Sequence, residues 1–266
     1  MQALVKQWLR RSLPPSGFAR LAQWHSRTHQ KRYLDQAGVT DLSRVFVQKH
    51  GMKVRYGPFA GMTYTERAAA ARVIIPKLLG SFEQELHSIL ESAFKKNKYQ
   101  TIIDVGCAEG YYSTGFALRT KARVLAFDVE PRELALARGM ARTNGVEDRI
   151  EFGGWCTAQN LVQQAQRPAF ILADCEGYER ELFDRELASA LSHVDLLIEL
   201  HGDASVSLPT CFAASHDVTL VNVETRDPFR FQELSQFDSH LSSLALCEHR
   251  SPSQQWLWAE SRMERI

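Results

Sequence analysis

The sequence predicts an α/β protein built on one mostly parallel sheet with helices on both faces, preceded by an N-terminal extension. Three observations carry this. From residue 100 onward, short apolar runs alternate with helical stretches, the signature of βαβ units. The first run, Thr101-Ile-Ile-Asp-Val105, passes through Gly106 and Gly110 into a helical stretch over 111–119. Four of the runs end in acidic residues, Asp104, Asp128, Asp174 and Glu199, each costly to bury without a partner.

Composition sets the outer limits. A chain of 266 residues with 44% hydrophobic and 24% charged content fits an ordinary globular protein of one large domain, or one domain with an appendage. A formal net charge of +1 gives no global pull toward nucleic acid or an anionic membrane. Five cysteines without paired short spacing argue against a disulfide scaffold and against a zinc cluster, and fit a reducing cytoplasm.

Taken in order, Met1 to Leu13 has Leu4, Val5, Trp8 and Leu9 on one helical face. This run is too short and interrupted for a signal or a membrane span, and reads as a docking helix, with a weak membrane-surface contact as the alternative. After Pro14-Pro15, residues 17–45 read as helical and basic, a solvated face rather than a nucleic-acid patch because no aromatic residues interleave. From Val45 to Tyr64 the pattern is extended, with a hairpin expected at Gly57-Pro58 and Gly61. Glu66 to Leu79 reads as helical until Pro76 interrupts it. Ser81-Phe-Glu-Gln84 has the form of a capping box opening a helix with Phe82, Leu86, Ile89, Leu90 and Ala93 on one face.

The alternating part predicts strands at 101–105, 123–128, 150–153, 170–174, 194–200, 218–223 and 255–259. Helices are expected at 111–119, 131–143, 158–166 and 178–191, and a polar aromatic stretch separates the last two strands.

In a doubly wound sheet, ligands bind beyond the carboxyl ends of the strands, so the polar residues there are the candidates for function. Glycines let a backbone approach a cofactor closely, and the free N–H groups of the following helix favour an anionic group. The dinucleotide fingerprint would need glycine where this chain has Ala108 and Tyr111, which disfavours NAD. Asp128 lies near the offset at which an acidic residue meets a ribose, whose diol a carboxylate can accept. Glu130 is the weaker choice, as an N-terminal helix charge.

Asp104-Val-Gly-x-x-x-Gly110 resembles the first motif of the S-adenosylmethionine-dependent methyltransferases of Rossmann-like fold. The fuller set is more specific. Ile-Asp-Val-Gly-Cys-Ala-Glu-Gly-Tyr-Tyr (103–112), Ala-Phe-Asp-Val-Glu-Pro (126–131), Ala-Asp-Cys-Glu-Gly-Tyr-Glu (173–179) and Leu-Ile-Glu-Leu-His (197–201) together resemble the FkbM-type methyltransferases, over about residues 100–202. The chain departs from that pattern at Asp128-Val-Glu-Pro and at Cys107-Ala108-Glu109. The resemblance implies a class I methyltransferase fold with seven strands, the last antiparallel. The methyltransferase domain would cover 81–266, and 1–80 would be an extension acting as a lid or as a substrate or oligomer contact.

It also implies S-adenosylmethionine as cofactor, held by Asp104, Gly106, Cys107, Gly110, Tyr111, Asp128, Glu130 and Asp174. Methyl transfer to a hydroxyl of a small molecule or glycan is the expected reaction, with a homo-oligomer left open. An alcohol must lose its proton, and His201 is the candidate base, with Asp174 and Glu199 beside it. The same ring read structurally bonds Glu199 or backbone. Asp174, Glu176, Glu199 and His201 would also suit a divalent cation, but one histidine with carboxylates is a generic set and no metal is assigned. Glu176 and Glu179 alternatively cap the helix that follows. Tyr111 and Tyr112 either face the sulfonium or pack under the sheet, and Cys107 and Cys175 read as packing residues. Two other readings compete: a cofactor-binding module without catalysis, and a nucleic-acid methyltransferase. The second is disfavoured because Asp174-Cys-Glu-Gly stands where base-amino methyltransferases carry Asn/Asp-Pro-Pro-aromatic. The acceptor pocket is expected from the extension and from Phe229, Phe231 and Phe237.

Overall fold

The computed structural model of the chain describes residues 17, 38–70, 73–165, 168–248, 250, 251 and 253–265. The expectations for Met1 to Leu13 and for most of 17–37 lie outside the described residues. Seven strands, β1 Thr101–Val105, β2 Arg123–Phe127, β3 Ile150–Gly153, β4 Ala169–Ala173, β5 Asp195–Leu200, β6 His216–Asn222 and β7 Gln255–Ser261, form one sheet in the order β3-β2-β1-β4-β5-β7-β6. β7 runs antiparallel to both its neighbours, and the other pairings are parallel. This is the Rossmann-like class I methyltransferase arrangement that the sequence predicts. β1, β4 and β5 are buried at every residue, which is why they read as mainly apolar runs rather than alternating ones.

Helices cover both faces. They are α1 Val39–His50, α2 Glu66–Ala69, α3 Ile74–Leu79, α4 His87–Lys96, α5 Tyr111–Arg119, α6 Pro131–Thr143, α7 Ala158–Gln164, α8 Glu179–Leu182, α9 Arg185–Ala190, α10 Ala204–Phe212 and α11 Ser239–Ala245. α6 starts with Pro131 in its first turn, and α7 closes a capping box between Thr157 and Asn160.

Four local expectations are corrected. Residues 45–50 continue α1, because Val39, Leu42 and Phe46 bury one helical face; the extended part is reduced to a bridge between Lys53 and Thr63. Pro76 does not interrupt a helix. The break comes before it, and α3 restarts at Ile74, putting the proline in a first turn where its missing N–H costs nothing. The expected helix over 178–191 is two helices, since Asp184 caps a fresh start through the Leu187 amide at 2.8 Å. Ser81–Gln84 forms no capping box: the Ser81 hydroxyl faces the Pro76 carbonyl, and Glu83 sits in the left-handed region with φ 49°.

Successive residues of β1 feed opposite layers. Ile102 joins a core with Phe46, Phe59, Ile75, Leu79, Phe116, Phe170 and Trp256, and Ile103 joins one with Leu125, Ile171, Phe183, Ile198 and Phe212. The described part of the extension therefore belongs to the first core, and a boundary at residue 80 would cut through it. Each fully buried Phe or Leu there is worth about 2–3 kcal/mol. Gly115 makes the fit: a Cβ on it would lie 2.4 Å from Phe59 Cδ1. A buried ion pair joins Lys77 of α3 to Glu109 of the loop after β1, and the Tyr64 hydroxyl donates to Glu109 at 3.1 Å.

Candidate active site

The chain leaves β1 toward β2 on one side and β4 on the other, so a crevice opens at their carboxyl ends. Gly106, with φ 88°, makes the turn out of β1; a Cβ on it would sit 1.8 Å from the Asp174 carbonyl oxygen. Only a glycine lets the loop and the end of β4 come this close. Gly110, with φ 89°, opens α5 against Ala137, whose Cβ would stand 3.0 Å from a side chain there.

Asp128 fastens this loop. Its Oδ2 accepts from the Ala108 amide at 2.9 Å and its Oδ1 from the Glu130 amide at 2.8 Å, which holds Ala108 in the left-handed region with φ 45°. Glu130 thus contributes its backbone to the site. Beside Asp128 lies an open cleft lined by Gly106, Phe127, Val129, Gly154, Trp155 and Tyr178, among others. Trp155 and Tyr178 stand 4.5 Å apart, centroid to centroid.

Asp104 is buried, and neither of its oxygens makes a hydrogen bond of normal geometry. Burial pushes its carboxyl up to about 8, against the pull of Ser113 and with the charges of Asp128 and Asp174 adding to the rise. The predicted loop residues Cys107 and Tyr111 turn away from the cleft into packing. Burial holds the Cys107 thiol well above its usual value. The Tyr111 ring lies 5.2 Å from Phe59, 5.4 Å from Phe82 and 5.2 Å from Tyr112, inside the first core. Its side chain serves the fold, and the expectation of a ring beside the cofactor gives way to the packing alternative.

At the ends of β4 and β5 the structure brings Asp174, Glu176, Glu179, Glu199 and His201 together. The Glu179 carboxylate, fully buried, takes the Cys175 and Gly177 amides and His201 Nδ1 on one oxygen, at 2.9, 3.2 and 2.9 Å. His201 Nε2 faces Glu199 Oε2 at 3.7 Å and Glu176 Oε2 at 4.0 Å. Burial works against a charged imidazole, but the Glu179 hydrogen bond and the charges of Asp174, Glu179 and Glu176 overcome it and raise the ring to about 9. These neighbours therefore favour the protonated ring, which Glu179 holds in place. Burial and the neighbouring Asp174 also raise Glu199 well above the carboxylate range.

The sequence reading missed Glu83. It is buried beside Tyr112, whose hydroxyl donates to it, and 2.8 Å from an Arg250 nitrogen; the same guanidinium meets Glu199. Arg226 extends the network to Glu85 and Glu248, each at 2.8 Å. Burial carries Glu83 up to about 7, with Arg250 and Tyr112 opposing. The one signal in the sequence was an acidic residue in an apolar stretch, and the capping-box pattern disguised it. Of the three expected acceptor aromatics, Phe229 is 86% exposed, and Phe231 and Phe237 pack against the first core.

Residues 96–167 match the family of the methyltransferase domain. The matched stretch holds β1, the glycine loop and Asp128. S-adenosylmethionine is the methyl donor of methyltransferase domains of this fold, in keeping with the cofactor inferred from the loop. A ribosomal protein L11 methyltransferase of Serratia proteamaculans is 32% identical over 75 residues, 28% of this chain and 22% of that protein, so the likeness spans about a fifth of the relative. Among solved structures, an rRNA methylase from Streptococcus thermophilus is 13% identical with a TM-score of 0.43, covering 66% of this chain and 96% of that one. A precorrin 8w decarboxylase from Methanobacterium thermoautotrophicum is 16% identical with a TM-score of 0.43, covering 66% and 89%. No helix of the described residues is long and apolar enough to cross a membrane.

Proposed function

We propose that this chain is an S-adenosylmethionine-dependent O-methyltransferase of the FkbM type, acting on a hydroxyl of a small molecule or glycan. The observation that carries the reading is the meeting of Asp174 with Glu199 and His201 beside the cleft, from the ends of two neighbouring strands. Their motifs, Asp174-Cys-Glu-Gly and Glu199-Leu-His201, are the distinctive part of the resemblance.

The residues of the loop fit the cofactor. Gly106 lets the loop after β1 turn tightly against the end of β4 and lines the cleft, and Asp104 brings a buried carboxyl to the methionine end. Asp128 lines the cleft at the end of β2, where a ribose would meet it, and Trp155, Val129 and Phe127 offer walls for a flat base. When bound, S-adenosylmethionine supplies an electrophilic methyl on a leaving thioether that needs no acid. The chain's part is then alignment and removal of the acceptor's proton. His201 holds its own proton, so Asp174, with one oxygen free of hydrogen bonds, is the better placed group to take the acceptor's. The five cysteines, none of them in a disulfide, suit a reducing compartment.

The test is a thermal shift with S-adenosylhomocysteine, followed by methyl-labelled donor and a panel of sugars, phenols and amines. At 100 times the dissociation constant the ligand should stabilise the fold by about 2.7 kcal/mol, and label should enter hydroxyl acceptors. A shift with NAD alone, or label entering amines alone, overturns the reading.

A further inference from the structure

The Asp174, Glu179 and His201 cluster has a property that proton transfer does not use. Each of the three offers one ligand atom, and the three atoms lie within 4.8 Å of one another. Glu199 Oε2 and Glu176 Oε2 stand 3.7 and 4.0 Å from His201 Nε2, and Glu179 Oε1 stands 2.9 Å from Nδ1. Two atoms bound to one first-row cation, each about 2.0–2.2 Å from it, are separated by about 3–4 Å. The spacing of the cluster is that of a coordination shell.

Charge points the same way. The carboxyl groups of Asp174, Glu176, Glu179 and Glu199 surround one imidazole, and the Arg250 guanidinium that meets Glu199 is shared with Glu83 and Glu85. A separate observation concerns Glu179. Its side chain is fully buried and directed at His201, yet Oε2 makes no hydrogen bond, and Asp174 Oδ1 is likewise without one. A fully buried carboxylate oxygen with no partner is costly, and a cation offers the missing partner.

We infer that Asp174, Glu179 and His201 bind one divalent cation, the imidazole giving up its extra proton to solvent as the ion binds, with Glu176 and Glu199 at its open side. One imidazole among carboxylates, with no thiolate, favours a first-row ion such as Mn²⁺ over a soft metal. Cys175 takes no part, because its thiol is directed at the Val105 carbonyl, 3.9 Å away. The cation's charge would lower the pKa of an acceptor hydroxyl placed beside it. The released proton would pass to a carboxylate of the cluster, with no change in the metal's oxidation state. That use rests on the proposed methyl transfer; the binding does not.

The experiment titrates Mn²⁺ into the chelator-stripped full chain and reads free Mn²⁺ by electron paramagnetic resonance. One ion per chain is expected, with Asp174→Asn, Glu179→Gln and His201→Ala each weakening it at least tenfold. Glu176→Gln, at a partly exposed loop position that does not threaten folding, is expected to weaken it about threefold. The S-adenosylhomocysteine thermal shift is followed in the same samples. Absence of a bound ion at millimolar Mn²⁺, or binding that none of the four variants alters, overturns the site. A tight Mn²⁺ site without any shift from S-adenosylhomocysteine or S-adenosylmethionine upholds the cation site and removes the methyl-transfer reading instead.

Discussion

The Ala108 amide donates to Asp128 Oδ2 at 2.9 Å, so the loop that follows β1 is fastened to the end of β2. The same carboxylate holds the Glu130 amide, and one side chain sets the shape of two adjacent turns. Asp128→Ala leaves both amides without this acceptor, at a cost of about 1–3 kcal/mol in stability. Affinity for S-adenosylhomocysteine should fall at least tenfold by calorimetry. Unchanged affinity would separate the carboxylate from the ribose.

Gly106→Ala should be among the most damaging single substitutions in the protein. The new Cβ would meet the Asp174 backbone oxygen at 1.8 Å, and the left-handed backbone alone costs a non-glycine residue about 1–2 kcal/mol. Relief requires β1 and β4 to part at their ends. Urea denaturation should show the loss, and the thermal shift by S-adenosylhomocysteine should vanish with it.

Asp104 makes stability depend on pH in the opposite sense to an ion-paired carboxylate. Its carboxyl titrates at about 8 in the fold and near 3.9 in the unfolded chain. The folded state therefore holds an extra proton between these values. The associated stability is complete below the lower value and is lost as pH rises through the upper one, at up to about 1.4 kcal/mol per pH unit. Melting temperatures of the cofactor-free protein from pH 5 to 8 should fall relative to those of Asp104→Asn. Parallel curves would mean that Asp104 is ionised throughout.

His201→Ala should spare cofactor affinity and lower turnover about tenfold, because the ring fastens Glu179 and faces the carboxyl groups at the rim and not the cleft beside Asp128. Measuring kcat together with S-adenosylhomocysteine affinity tests both halves. Equal losses in the two would make the residue a support of the cofactor loop.

Lys77→Met would strand the Glu109 carboxylate in a buried site, at a cost of about 3–5 kcal/mol. Adding Glu109→Gln should restore much of it. A chain shortened to residues 81–266 should fail to fold, since it removes Phe59, Ile75 and Leu79 from the first core. Cooperative unfolding of the shortened chain would show that the extension is dispensable.

The central half of the fold was legible because its signals are local. Thr101–Val105, Gly106 and Gly110 lie side by side in the chain, and the strand they form is buried along its whole length, so apolar run and element coincide. Asp128, Asp174, Glu199 and His201 were legible because strand ends place them whatever the loops do. What failed depended on distant partners. Glu83 acquires its meaning from Arg250 and Tyr112, and Lys77 from Glu109, and no pattern in neighbouring residues announces either pair. Tyr111 was misread because an aromatic residue at the mouth of a cofactor loop looks the same in sequence whether its ring meets a ligand or Phe59. Glu179 looked like a helix cap, and it does accept two loop amides, but its bond to His201 emerges only when β4 and β5 align.

Phe59 fills the space that a side chain at position 115 would need, so the ring and the notch were shaped as a matched pair. Grafting residues 96–167 onto another sheet of the same topology would carry the notch without its plug, and trading the leading segment for a relative's would do the reverse. Shuffling of such proteins by recombination is then expected to keep the leader and the nucleotide half on the same inherited piece.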